Sequence, residues 1–197
     1  MAEESAETSR FLALAREGEP RALEDLYRRL GPRLLGLIRV RMGRGLRDHF
    51  ESQDILQACL LKSFQGLPEF RGVGTAQVMA WLARIAENEI RDRADFHGRQ
   101  RRDGRLEATL DPALEPVAAR IRSALSEIIF DEEAARLEGA IAALAPDQRE
   151  VVILRKFHDL SFAEIGERMG RSEDASRMLL ARAMTALTLA LTAGDES

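Results

Sequence analysis

The sequence predicts an all-α protein built as two small helical domains joined by a linker. Three observations predict it. Apolar residues recur at helical spacing along most of the chain, and no segment sustains the alternation of a strand. Composition breaks once in mid-chain, where residues 97–116 collect two glycines, two prolines and clustered charge. With 197 residues, 45% of them hydrophobic and 31% charged, there is apolar material for two cores.

The elements follow in order. Phe11 to Glu17 reads as a short helix ended at Gly18. Pro20 starts the next, with Leu23, Leu26 and Tyr27 as its apolar stripe up to Gly31. Pro32 opens another, carrying Leu34, Leu35, Ile38 and Met42, and glycines punctuate the turn at 43–47. Asp54 to Gln65 is a helix with Ile55, Cys59, Leu60 and Phe64 on its apolar side. A loop containing Gly72 and Gly74 leads to a helix from Gln77 to about Arg93, with Val78, Trp81, Leu82, Ile85 and Ile90. Past the linker, Val117 to Phe130 regains a helical stripe, either as a connector or as the start of the second domain. Four helices follow at about 132–144, 147–157, 162–169 and 172–192.

The last two form the sharpest local pattern. Ser161 caps a helix and Glu164 closes a capping box, Ile165 and Met169 bury one side, and Gly170 ends it in a left-handed turn. Ser172 caps the second helix, and Glu173 and Asp174 occupy its first turn, where the helix dipole favours carboxylates. Two short helices about a glycine turn make a helix-turn-helix, whose second helix enters a DNA major groove.

Charge qualifies that reading. The net charge is −4, unlike a free-standing DNA binder. The charge is uneven, with seven arginines and no acid from Arg28 to Arg47, and six arginines against three aspartates from Arg91 to Arg105. No stretch approaches the roughly 20 apolar residues of a membrane span, and Met1 to Arg10 lacks the apolar core of a signal peptide. Cys59 is the single cysteine and reads as a buried, inert thiol of a cytoplasmic chain. His49, His97 and His158 lack ligand spacing, so no metal site is expected. Neither a nucleophile–base pair nor a phosphate loop is evident. The expectation is a non-enzyme without a cofactor.

The segment Ala143-Leu144-Ala145-Pro146-Asp147-Gln148-Arg149-Glu150-Val151-Val152-Ile153-Leu154-Arg155, followed by the helix-turn-helix, resembles region 4 of bacterial sigma-70-type factors. Asp54-Ile55-Leu56-Gln57, the loop around Phe70-Arg71-Gly72, and Trp81 to Asn88 followed by Asp92 resemble region 2 of the same family. The small extracytoplasmic-function group, which lacks a large insertion between the two regions, is the nearest pattern. The resemblance implies region 2 at 10–102, a partly helical linker at 103–131 and region 4 at 132–192. It implies a sigma factor that binds core RNA polymerase through the β′ clamp helices and the β flap. Such a factor recognises −35 and −10 promoter elements and assists melting. It also admits an anti-sigma factor as partner.

Residue roles come with the resemblance. Trp81, Asn88 and Asp92 fall within about 20° of one helix face. Asn88 is expected to hold a flipped −10 base, which the loop Arg71 to Gln77 selects, and Trp81 either faces DNA or packs in the core. Arg84, Arg91, Arg99, Arg101 and Arg102 are expected near −10 phosphates, with Arg93 a further basic residue of that helix. Glu51, Asp54 and Gln57 are expected on polymerase. The family usually carries more carboxylates there, and phosphorylation of Ser52 or Ser63 is one way to restore the charge. On the −35 side, Arg149, Arg171, Ser172, Arg177, Met178 and Arg182 are expected at DNA, Arg177 reading guanine. Two inward stripes remain open for the recognition helix: Ser176, Leu180, Ala183 and Leu187, or Leu179, Ala183 and Ala186. The acidic run Glu107, Asp111 and Glu115 is either a channel-filling linker or a tether. Two alternatives stand beside the sigma reading. One is a free-standing helix-turn-helix regulator. The other is a sigma-like adaptor that binds polymerase or an anti-sigma factor without initiating.

Overall fold

The computed structural model describes residues 2–42, 44–100, 114–126 and 132–193. Among them every regular element is helical: α1 (Ala2–Arg16), α2 (Pro20–Arg41), α3 (Arg44–Arg47), α4 (Ser52–Gly66), α5 (Gly74–Gln100), α6 (Glu115–Ser126), α7 (Glu132–Ala143), α8 (Pro146–Lys156), α9 (Phe162–Met169) and α10 (Glu173–Ala193). The expected all-α class holds. The chain divides into two compact units, Met1–Ile129 and Phe130–Ser197.

In the first unit α2 is the central helix and packs against α1, α4, α5 and α6. It departs from the sequence reading by running straight through Pro32. Leu30, Leu34, Leu37 and Ile38, on either side of the proline, are all fully buried, whereas Pro32 itself is exposed. Burying each such side chain is worth about 1.5–3 kcal/mol, so together they outweigh the roughly 3 kcal/mol cost of an internal proline. Tyr27 donates from its hydroxyl to the Leu60 carbonyl at 2.9 Å and lies 2.8 Å from the Ser63 hydroxyl, tying α2 to α4. Burial pushes the Tyr27 phenol above its ordinary range, although the Ser63 hydrogen bond opposes the shift.

Two further departures concern the ends of this unit. Helix α1 begins at Ala2 rather than Phe11. Its buried face is partly polar: Thr8 is fully buried with its hydroxyl 2.9 Å from that of Thr75. Such a face has no apolar period to read. Helix α6 packs on α2 and α4 through buried Ala118, Ile121 and Ala124, so it belongs with the first unit.

In the second unit α10 packs against α7, α8 and α9. Val151, Val152, Ile153 and Leu154 of α8 are all buried, with Ile141, Leu144, Ile165, Ala183 and Leu187 around them. Four consecutive buried residues cover nearly every face of that turn of α8, which packs against both α9 and α10.

Candidate nucleic-acid interface

The helix-turn-helix is built by local hydrogen bonds. The Ser161 hydroxyl accepts from the Glu164 amide at 3.3 Å, and a Glu164 carboxylate oxygen accepts from the Ser161 amide at 2.7 Å. The Ser161 hydroxyl also donates to that carboxylate oxygen at 2.7 Å, and this bond, followed by the one from the Ser161 amide, holds the Glu164 carboxyl below its ordinary range. Gly170, at φ 65, terminates α9 in the left-handed region. The Arg171 amide then donates to the Gly166 carbonyl at 2.8 Å. Ser172 caps α10 by accepting from the Ala175 amide at 3.2 Å.

The register of α10 is settled. Ser176 and Ala183 are fully buried and Leu187 nearly so, whereas Leu180 of the same stripe and Leu179 and Ala186 of its rival are only half-buried, so Ser176 and Leu187 decide between the two. The Ser176 hydroxyl finds its partner within the helix, donating to the Ser172 carbonyl at 3.0 Å. Asp174, Arg177, Met178, Ala181, Arg182 and Thr185 therefore face outward, all exposed. Met178 is 56% exposed, a large apolar side chain held out on the row that carries Arg177 and Arg182.

The arginines are not equivalent. Arg177 pairs with Glu173 at 2.7 Å and lies 5.0 Å over the Phe162 ring. Arg171 pairs with Asp147 of α8, bracing the turn. Arg149, expected at DNA, is half-buried and bonded within its own unit. Its guanidinium donates to the Ala142 carbonyl at 2.6 Å and the Leu144 carbonyl at 3.1 Å. It closes the C-terminal end of α7, where free carbonyls need donors. Ser172, too, spends its hydroxyl on the cap.

In the first unit, the segment between α4 and α5 folds back on α5. Phe70 stacks on Trp81 with ring centroids 4.4 Å apart and planes 14° apart. Trp81 is half-buried, and one of its faces belongs to Phe70. Arg71 is exposed and turns its guanidinium back to the Pro68 carbonyl. Gln77 accepts from the Val73 amide at 2.9 Å, and Val73 projects with 61% exposure. Along the same helix Arg84, Asn88, Arg91 and Asp92 are exposed, and the Asn88 side-chain oxygen Oδ1 accepts from Arg91 at 3.3 Å. Arg101 and Arg102, and the side chain of Arg99, lie outside the described residues, as do Glu107 and Asp111.

On α4, Glu51 stands at the N-cap without a side-chain capping bond, Asp54 is exposed and Gln57 is half-buried. Ser63 is buried and hydrogen-bonded, so it is closed to a kinase. Ser52, at the helix start, lies 3.4 Å from the Arg39 guanidinium. A charge cluster that the sequence reading missed ties α4 to α5. Glu89, only 7% exposed, pairs with Lys62 at 2.6 Å and Arg93 at 2.7 Å. Burial alone raises the Glu89 carboxyl, but its two cationic partners outweigh burial and hold it below the ordinary range. Burial pushes the nearby Cys59 thiol up to about 12, aided by Glu89, which leaves it unreactive. The i,i+4 spacing of Glu89 and Arg93 was the available signal.

A capped helix-turn-helix with a buried inner row and an exposed basic outer row is a DNA-binding unit. The first unit adds an aromatic-backed loop beside a polar helix face. Comparison with known proteins gives the class its family. Residues 134–187 match the family model described as Sigma-70, region 4, and residues 26–101 match Sigma-70 region 2. The chain is 30% identical over 180 residues to the RNA polymerase sigma-H factor of Pseudomonas aeruginosa, covering 88% of each chain. It is 31% identical to the RNA polymerase sigma factor CarQ of Myxococcus xanthus, over 83% of this chain and 85% of that one. It is 29% identical to the ECF RNA polymerase sigma factor BldN of Streptomyces coelicolor, over 93% of this chain and 66% of that one. The chain belongs to the sigma-70 family of RNA polymerase sigma factors, in its extracytoplasmic-function group. As such it binds core RNA polymerase and promoter DNA and directs transcription initiation. No described helix is long and apolar enough to cross a membrane.

Proposed function

We propose that promoter reading is divided between region 2 at residues 10–102 and region 4 at 132–192, with 103–131 as a partly helical linker whose helix α6 packs on the first unit, in a cytoplasmic, non-enzymatic factor. Arg177 and Met178 of α10 read base edges of the −35 element, while Arg171 and Arg182 follow phosphate. Asn88, with Arg84 and Arg91 beside it and the Arg71–Gln77 loop before it, engages the −10 element. Trp81 supports that loop through Phe70 rather than meeting the base face-on. Glu51, Asp54 and Gln57 dock α4 on polymerase. The observation that carries this reading is the outward row of α10, exposed at Arg177, Met178 and Arg182 over a fully buried Ser176–Ala183 row.

The test is run-off transcription with core polymerase on a template library randomised at both elements. Arg177→Ala should relax preference at −35 positions only, and Asn88→Ala at −10 positions only. If each variant lowered output evenly across all templates, the assignment would be wrong. The free chain should bind promoter DNA weakly, because a net charge of −4 gives little unaided attraction. Tight sequence-specific gel shifts without polymerase would favour a free-standing regulator instead.

A further inference from the structure

The loop before α5 is held at both ends by one face of α1. At its upstream end Arg16 donates to the Phe70 carbonyl and, at 3.3 Å, to the Gly72 carbonyl. The same guanidinium lies 5.7 Å from the centre of the Phe70 ring, whose other partner is Trp81. At the downstream end the Thr75 hydroxyl meets that of Thr8 at 2.9 Å, fully inside the fold, and reaches the Glu4 carbonyl at 3.3 Å. Gly74, at φ 72, passes so close to Ser5 that a Cβ would strike its hydroxyl. Ser5, Thr8, Leu12 and Arg16 are spaced at three and four residues, so they form one stripe of α1. Leu12, 1% exposed, anchors that stripe in the core. Between the two clamps Val73 projects into solvent.

We infer that α1 is the template for the −10 reading loop, and that Arg16 is a positioning residue for promoter specificity although it belongs to neither recognition segment. The inference rests on the proposed role of the Arg71–Gln77 loop. The two carbonyls turned toward Arg16 fix the 70–71 and 72–73 peptide planes, one just before Arg71 and one just before Val73. Losing that donor frees the loop to present Arg71 and Val73 in several orientations. Base discrimination then falls while the rest of region 2 stays folded, because Arg16 itself is exposed and no core contact is lost.

The experiment uses full-length variants with core polymerase on templates of fixed −35 sequence and randomised −10 bases. Arg16→Ala should lower the ratio of preferred to disfavoured −10 bases about 5- to 10-fold, the scale expected for a charged donor shared by two carbonyls at an exposed site. Arg16→Lys, which keeps the charge and a single donor nitrogen but not the planar guanidinium, should restore part of that ratio. Thr8→Val should weaken it from the other end. An even loss of output with the −10 preference intact would overturn the inference, since it would mark α1 as merely structural. Gln77→Ala separates the two readings. If Gln77→Ala shifts the preference and Arg16→Ala does not, the template role fails and the loop assignment stands. If neither shifts it, the loop assignment fails and the template role falls with it.

Discussion

Gly166 and Gly139 both lie within helices of the second unit, and alanine at the two positions should move stability in opposite directions. In each case alanine gains about 1 kcal/mol of helix propensity. At Gly139 a Cβ meets nothing within 4 Å, so the gain stands alone. At Gly166 a Cβ would lie 2.6 Å from the Arg171 carbonyl oxygen and 3.3 Å from the Ser172 carbonyl carbon, where ordinary contact begins at 3.4 Å. The shortfall to the oxygen is about 0.8 Å. Both atoms are backbone, in the turn that starts α10, and the Gly166 carbonyl also accepts the Arg171 amide. The turn must therefore move as a body. Overpacking costs about 1–3 kcal/mol, and an overlap this deep with backbone atoms falls in the upper part, about 2–3 kcal/mol, leaving a net loss of about 1–2 kcal/mol once propensity is set against it. In a unit this small each kcal/mol shifts the midpoint by about 4–8 °C, so Gly166→Ala should unfold about 5–15 °C earlier and Gly139→Ala a few degrees later. Thermal unfolding of the full chain measures this, with hydrogen exchange assigning the transition to residues 132–193. Gly166→Ala should also depress transcription from −35-dependent promoters, because the recognition helix is displaced at its tip. A Gly166→Ala protein as stable as the parent would refute the close-approach argument.

Three other outcomes are expected. Glu89 titrates below its ordinary range when folded, so it stabilises the first unit above pH about 4 and loses that contribution as pH falls through its folded value; Glu89→Gln should flatten acid unfolding curves and cost about 1 kcal/mol near neutrality, a figure kept small because Lys62 is half-exposed. Arg149→Ala should lower the melting midpoint by about 1–2 kcal/mol equivalent and leave the salt dependence of holoenzyme–promoter binding unchanged, whereas Arg182→Ala should reduce that slope by about 1 and leave melting unchanged. Tyr27→Phe should destabilise the first unit by about 1 kcal/mol, read by denaturant unfolding, since the buried Leu60 carbonyl loses a donor while Ser63 keeps it partly satisfied.

What was legible in the sequence was what neighbours in the chain determine. The capping box at Ser161 and Glu164, the left-handed Gly170 and the Ser172 cap are all local, and all are present. What escaped is long-range. Helix α1 hides its first turns behind Thr8 and Ser5, polar residues whose partners lie about 70 positions away, so no apolar period announces it. Pro32 reads as a boundary because its cost is local, whereas the leucines that outweigh it are repaid across the core. Trp81, Asn88 and Asp92 do share a helix, but which face of the Trp81 ring is free depends on Phe70 folding back from the preceding loop. Arg149 carried the family pattern, yet its partners Ala142 and Leu144 offer only carbonyls, which no side-chain pattern reveals.

The ion pair between Arg177 and Glu173 gives the recognition helix a rival for its own ligand. In the proposed reading, a base edge that engages Arg177 replaces a carboxylate already 2.7 Å away. Recognition becomes an exchange rather than an addition. A guanine, with two acceptors in line, competes with a carboxylate for both arms of the guanidinium; a base offering one acceptor does not. In the proposed reading, the acidic first turn, favourable to the helix itself, also adds a small cost, below about 1 kcal/mol for so exposed a pair, to any contact that Arg177 makes with DNA.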